Sequence, residues 1–225
     1  MDLTEALRTT GAVREFTDEP VGDDVVFRLI DTARFAPSGG NRQGWRVVLV
    51  KDPDSRRRLR DLYLAGWDDY LAMTMAGLTP WAPVTDRAAE ARALATRPEG
   101  VVARGAFAEH LDTVPVLLAV LVDLRVLAAV DRDLDRYTFA GGASVYPFAW
   151  SLLLAARAEG LGGVMTTMPI REEPAVLELL GAPEHHALAT VIALGHPVRR
   201  PRRLTRADVA SFATVDRVDG PPLTP

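Results

Sequence analysis

Apolar positions recur along this chain with two periods, and the changes of period mark its elements. Asp2 to Arg8 reads as a short helix. Asp23 to Phe35 reads as a longer one, with Val25, Val26, Leu29, Ile30 and Ala33 at helical spacing behind an acidic first turn. Pro37-Ser38-Gly39-Gly40-Asn41 breaks that helix. Trp45 to Val50 is a β-branched apolar run closed by Lys51-Asp52-Pro53, the pattern of a buried strand ending in a turn. Asp54 to Leu64 returns to helix. From about Trp67 to His110 the periodicity loosens: Trp67-Asp68-Asp69-Tyr70 opens a helix, Thr79-Pro80-Trp81-Ala82-Pro83 interrupts it, and Asp86 to Ala95 fits a surface helix. So long an excursion predicts a functional segment such as a lid.

Pro115 to Val122 is a second buried strand, with proline at its first residue, where a missing N–H is tolerated. Ala143 to Glu159 is apolar on nearly every face (Val145, Phe148, Trp150, Leu152, Leu153, Leu154, Ala155, Ala156). As a helix it belongs in the middle of the protein or at a large interface, with Pro147 in its first turn or at a kink. Val164 to Met168 is a short strand, Glu172 to Leu180 a helix ended by Gly181-Ala182-Pro183, and Ala189 to Leu194 the last strand. From about 198 to 225 the chain is Arg-rich, then Pro-rich, and reads as an arm. No strand–helix unit repeats, and no glycine-rich turn links an early strand to a helix. The pattern predicts one α+β domain rather than a doubly wound dinucleotide fold.

Composition narrows the function. The chain has 225 residues, 48% hydrophobic and 25% charged, which is ordinary for a globular protein. With 26 Lys plus Arg against 30 Asp plus Glu, its net charge of -4 argues against nucleic acid as a partner. The absence of cysteine removes disulfides, thiolate nucleophiles and Cys-based metal sites, and fits a reducing cytoplasm. The N-terminal MDLTEALRTT is not a secretory signal, and the aliphatic run Val114 to Val122 falls well short of the roughly 20 residues of a membrane helix. A cytoplasmic protein without a membrane partner is expected. His110, His185, His186 and His196 lack ligand spacing, the adjacent pair falling in a loop, so no metal is expected. No nucleophile elbow or P-loop is present.

Four stretches carry candidate chemistry. Arg14, in Gly11-Ala12-Val13-Arg14-Glu15-Phe16, is by itself either a solvated loop residue or a ligand group. In Ala36-Pro37-Ser38-Gly39-Gly40-Asn41-Arg42-Gln43-Gly44-Trp45, small residues let backbone approach a planar ligand and the hydroxyl and amides offer neutral hydrogen bonds. The same residues also make an ordinary helix-ending turn. Gly160-Leu161-Gly162-Gly163 follows a helix and leads into a strand, the reverse of a nucleotide fingerprint, and reads as a C-cap and turn. Arg199, Arg200, Arg202, Arg203 and Arg206 form a cluster suited to a phosphate or to solvent.

In this order the stretches resemble the nitroreductase family of flavoproteins. That family shows an RRSxRxF-like segment, a PSxxNxQPW-like loop, an apolar helix leading into LGxxW, and a late strand ending in GYP before basic residues. The counterparts are Thr10 to Phe16, Pro37 to Trp45, Gly142 to Met165, and Gly195-His196-Pro197 with Arg200 to Arg203, spanning about residues 4 to 212. Leu62 to Trp67 and Thr166-Thr167 look like a long-lid subgroup common in actinobacteria.

The resemblance implies a central, mostly antiparallel sheet flanked by helices in an intertwined homodimer. It also implies bound FMN, NADH or NADPH as co-substrate, and a small-molecule acceptor such as a nitroaromatic, quinone or activated alkene. Arg14 matches the basic residue beside the flavin pyrimidine edge. Pro37, Ser38 and Gly39 match the loop reaching the flavin from the partner subunit, with Asn41 and Gln43 near it. Thr166 and Thr167 match the strand end along the reactive edge, and Arg202 and Arg203 the basic pair on the phosphate. Trp67, Tyr70 and Trp81 are the lid candidates. No side chain is assigned to proton relay.

Thr10, Gly11 and Ala12 depart from the family's Arg-Arg-Ser, and Gly44 from its Pro. Losing one charge-assisted phosphate contact costs about 1.5 to 3 kcal/mol, a ten- to hundredfold weakening. Arg8 is the nearest substitute in sequence. The departure also motivates an alternative, a non-catalytic protein of the same fold that stores FMN.

Overall fold

The computed structural model describes residues 2–96, 105–201 and 203–225. Helix α1 (Leu3–Thr9) is capped by Asp2, whose carboxylate accepts from the Glu5 N–H, and α2 (Asp23–Ala33) follows. Strand β1 (Trp45–Leu49) leads into α3 (Pro53–Met75), then α4 (Arg87–Ala95), the short α5 (Ala106–Glu109) and β2 (Val116–Asp123). Helix α6 (Tyr146–Ala158), β3 (Gly162–Thr166), α7 (Glu173–Leu179) and β4 (His186–Gly195) complete the sequence of elements. Pro147 lies in the first turn of α6, where a missing N–H breaks no helical bond.

The strands form one sheet in the order β1-β2-β4-β3, with every neighbouring pair antiparallel. Strand β2 is buried at all its positions, which explains its unbroken apolar sequence. Its alternate residues serve two cores. Val116, Leu118, Val120 and Val122 pack with α2 and α6, whereas Leu117, Ala119 and Leu121 pack with Leu59, Leu62 and Tyr63 of α3 and Val176 of α7. The all-round apolar α6 therefore lies in the interior, with Phe148 stacked on Trp45 of β1 at 4.9 Å between ring centroids.

The helix expected to stop at Leu64 and restart at Trp67 is continuous from Pro53 to Met75, so Trp67 and Tyr70 sit on α3 rather than on a separate lid helix. Asp52 caps it, accepting from the Ser55 N–H at 2.8 Å, and Pro53 opens it. Gly66, which resembles a break, lies inside it. A Cβ there would stand 2.7 Å from the Met168 carbonyl oxygen and 2.9 Å from Arg171 Cγ, so glycine permits close packing of α3 on the turn after β3. Similarly, β4 begins at His186, earlier than Ala189, because His186 pairs with Asp123 in register.

In an exposed helix interior, Gly→Ala stabilises by about 1 kcal/mol. At Gly66 the sign reverses: Gly66→Ala is expected to destabilise by about 1 to 3 kcal/mol through overpacking, read as a lower urea midpoint at unchanged slope.

Candidate functional site

The segment containing Arg14 is stitched to the outer edge of β3. The Val13 N–H donates to the Gly163 carbonyl at 2.9 Å, Phe16 bridges to Pro197, and the Thr17 N–H donates to the His196 carbonyl at 2.8 Å. A Cβ on Gly162 would meet Val13 at 2.8 Å, so its absence brings the segment against the strand. Arg14 then lines three adjoining cavities of about 1220, 470 and 380 Å³.

The cavity of about 470 Å³ brings Arg14 together with Thr166, Thr167, Trp67 and Tyr70. Its size is that of a small-molecule site. An aromatic series walls it: Phe107 meets Tyr63 edge-on at 6.2 Å, Tyr63 faces Trp67 at 6.0 Å, and Trp67 stacks on Tyr70 at 5.0 Å. Trp81 extends the series, 6.3 Å from Tyr70, with the Arg171 guanidinium 4.9 Å from its ring centroid, but Trp81 is not in the cavity wall. Tyr63 was not singled out by sequence, where it reads as one more apolar position of a helix. Burial pushes its phenol up and outweighs the opposing pull of Thr166 and the Arg14 charge, so it keeps its proton at neutral pH.

Pro37, Ser38, Gly39, Asn41 and Gln43 lie beyond the start of β1, at the opposite edge of the sheet from Arg14. Three strand spacings of about 4.8 Å separate the two edges by roughly 14 Å. The loop is internally braced. Ser38 Oγ accepts from the Gln43 N–H at 3.0 Å, and Gln43 Nε2 donates to Asn41 Oδ1 at 3.1 Å. Asn41 and Gln43 hold φ of 53° and 50°, left-handed values that non-glycine residues adopt at a cost. The Gly39 N–H donates to Ser144 Oγ at 3.0 Å, which ties this loop to the connection between β2 and α6.

That connection is organised by Asp131, whose side chain is 3% exposed. The Phe139 N–H (2.9 Å), Arg136 Nη1 (2.8 Å) and the Ala140 N–H (3.2 Å) donate to its carboxylate. The Phe139 N–H first, then the Arg136 guanidinium and the Ala140 N–H, hold its pKa at about 2, against burial, which pushes it up. Nearby, Asp123, His185 and His186 bring potential ligand atoms within 4.8 Å of one another. The Asp123 carboxylate is already engaged by Arg125, whose Nε and Nη2 donate to it at 3.0 and 2.7 Å.

The largest of the three cavities is lined by Arg14, Arg157, Arg199, Arg200 and Arg203, with Glu15 as its one acidic residue among those described. Of the pair expected on the phosphate, Arg203 lines this cavity, whereas Arg202 lies outside the described residues. Arg8 is exposed on α1 and is not among the residues lining this cavity. Arg157 was not anticipated as a site residue, and Arg200 only as one member of a basic cluster suited to a phosphate or to solvent. Arg157 is hidden in sequence by the apolar run of α6, and becomes visible only when the end of that helix is placed beside the N-terminal segment.

No helix among the described residues is long and apolar enough to cross a membrane. The model of the nitroreductase family matches residues 7–196. Iodotyrosine deiodinase 1 of Mus musculus is 30% identical over 198 residues, 88% of this chain and 63% of the deiodinase, so the chain spans less than two thirds of that relative's length. A protein named NADH dehydrogenase from Thermus thermophilus is 29% identical over 197 residues, 88% of this chain and 87% of its own length. The solved structure of oxidized iodotyrosine deiodinase bound to FMN and 3-iodo-L-tyrosine shares the fold, with a TM-score of 0.63 at 23% identity over 92% of this chain and 96% of that one.

Because the folded-state pKa of Asp131 is depressed, its stabilisation is present above the unfolded value of about 3.9 and is lost as pH falls towards about 2. Pepsin is expected to cut within residues 124–145 as the pH drops through that window. Asp131→Asn should expose the same stretch to chymotrypsin at neutral pH, read by mass spectrometry of the fragments.

Proposed function

Since this chain belongs to the nitroreductase family, we propose that it is a cytoplasmic, homodimeric FMN-dependent oxidoreductase passing electrons from NADH or NADPH to a small-molecule acceptor by a ping-pong mechanism. The observation that carries this reading is the position of Arg14, a fixed cation at the junction of an arginine-lined cavity and an aromatic-walled one. The donor set fits the cofactor: arginines for a phosphate monoester, Arg14 for the pyrimidine edge, and Thr166 and Thr167 with the aromatic wall for a planar ring.

Bound FMN supplies the two-electron chemistry, from nicotinamide to acceptor. Arg14 would stabilise negative charge that builds beside it on reduction, its neighbour Val13 holding the segment on β3. Trp67 and Tyr70 exclude water from the ring face as parts of α3. The stretch from about 67 to 110, of which 97–104 lie outside the described residues, acts as a lid over the same single domain, with Ala106 and Phe107 lining the cavity and Trp81 next to Tyr70.

The braced loop and Arg14 lie at opposite sheet edges, so one ligand meets both only if two copies combine. In that dimer Pro37, Ser38 and Gly39, with Asn41 and Gln43, reach the ring held by the partner, and the arm from about 198 to 225 crosses over. Phe27, Phe35 and Phe139, exposed by 71%, 75% and 75%, supply apolar area for the interface.

The purified protein is expected to be yellow, to bleach with NADH or NADPH under anaerobic conditions, and to reoxidise with a nitroaromatic, a quinone, an activated alkene or 3-iodo-L-tyrosine. Arg14→Ala should lower turnover at least about tenfold. A yellow protein inert to both nicotinamides would instead favour FMN storage, the reading that the departed Thr10-Gly11-Ala12 segment supports. Colourless protein that cannot be loaded with FMN would overturn both.

A further inference from the structure

We propose that the phosphate of the cofactor is seated on a guanidinium pair, Arg157 from α6 and Arg200 from the arm, which supplies the anchoring that Thr10, Gly11 and Ala12 cannot; this rests on the FMN reading above. The three substituted positions have other structural duties. The Thr10 hydroxyl donates to the Ala6 carbonyl at 2.7 Å as part of the α1 cap. Gly11 lies under the arm: a Cβ there would stand 2.8 Å from Leu204 Cδ2 and 3.0 Å from Pro201 Cγ, so a side chain at this position would have to displace them. Ala12 lines the arginine-rich cavity but offers it no hydroxyl.

Arg157 fills the functional gap from the other side. It borders both the large cavity and a small space of about 10 Å³ beside Thr10, Gly11, Gly163 and Arg200. Its Nε is buried with no hydrogen-bond partner among the described residues, and the bond from Nη2 to Thr9 Oγ1 is a long 3.4 Å. A buried, uncommitted charged donor is costly, and solvation at the end of a helix does not account for it. Arg200 donates to the Gly160 carbonyl at the end of α6, and no carboxylate pairs with either guanidinium among the described residues. Burial, and then the neighbouring Arg157 charge, hold the Arg200 pKa down, the sign of two like charges facing one space. A phosphate monoester carries about -1.5 to -2 charges at neutral pH and three acceptor oxygens, so it offsets both guanidiniums and satisfies their free donors.

The test is the selectivity of the apoprotein for FMN over riboflavin, which lacks the phosphate, followed by flavin fluorescence in the full-length chain. Arg157→Ala should weaken FMN by about ten- to hundredfold while leaving riboflavin unchanged. Arg157→Lys, which keeps the charge without the fork, should recover part of the loss, and Arg200→Ala should act in the same direction as Arg157→Ala. Circular dichroism and an unchanged riboflavin affinity separate this from misfolding. If wild type binds FMN and Arg157→Ala leaves the FMN-to-riboflavin ratio intact, the guanidinium pair is not the seat. If wild type binds neither flavin, the FMN reading fails, and inorganic phosphate decides. Thermal stabilisation by phosphate over chloride at equal ionic strength, present in wild type and absent in Arg157→Ala, supports an anion seat; no stabilisation overturns it.

Discussion

Burial of both faces of one small sheet is the constraint on which the rest of this structure depends. Strand β2 has no exposed residue, and β4 is buried from Leu188 to Gly195. Helices α2 and α6 cover one face while α3 and α7 cover the other. Chemistry is therefore confined to the edges and ends of the sheet, where backbone groups and polar side chains can reach a ligand without abandoning a partner. At the β3 edge the Arg14 segment takes up that freedom. At the β1 edge the left-handed loop at Asn41 and Gln43 does so.

Charge is distributed in the same spirit. In a chain with a net charge of -4, five arginines converge on one cavity with a single acid among the described lining residues. Elsewhere arginines are paired locally, as Arg28 with Asp24 and Arg136 with Asp131. The contrast is informative because solvated surface pairs are individually worth little, whereas like charges gathered around a partly enclosed space cost free energy until an anion arrives.

Much of this was legible in the sequence, for identifiable reasons. The buried strands and α6 declared themselves through unbroken apolar runs. The loop from Pro37 to Trp45 did so as a break between α2 and β1, through its run of proline and small residues. What was not legible depended on tertiary neighbours. Gly66 resembles a helix break because its role, contact with the Met168 carbonyl, lies 102 positions away in sequence. Tyr63 and Arg157 each occupy a helical position that local pattern assigns to packing or to solvent. Their chemistry follows from Thr166 and Arg14 in one case and from Thr9 and Arg200 in the other. Likewise the substitutions at Thr10 to Ala12 look like simple losses until the cap at Thr10 and the covered Gly11 are seen.

The arm packed on Gly11 also bears on kinetics. Pro201 rests on that glycine while lining the arginine-rich cavity, so the wall of the site and its cover belong to one short stretch of chain. A molecule enclosed there departs when that stretch peels away. Its residence time is then set by the free energy of a local opening as well as by the strength of its own contacts, and a bulkier residue at position 11 would shorten the residence without touching the ligand.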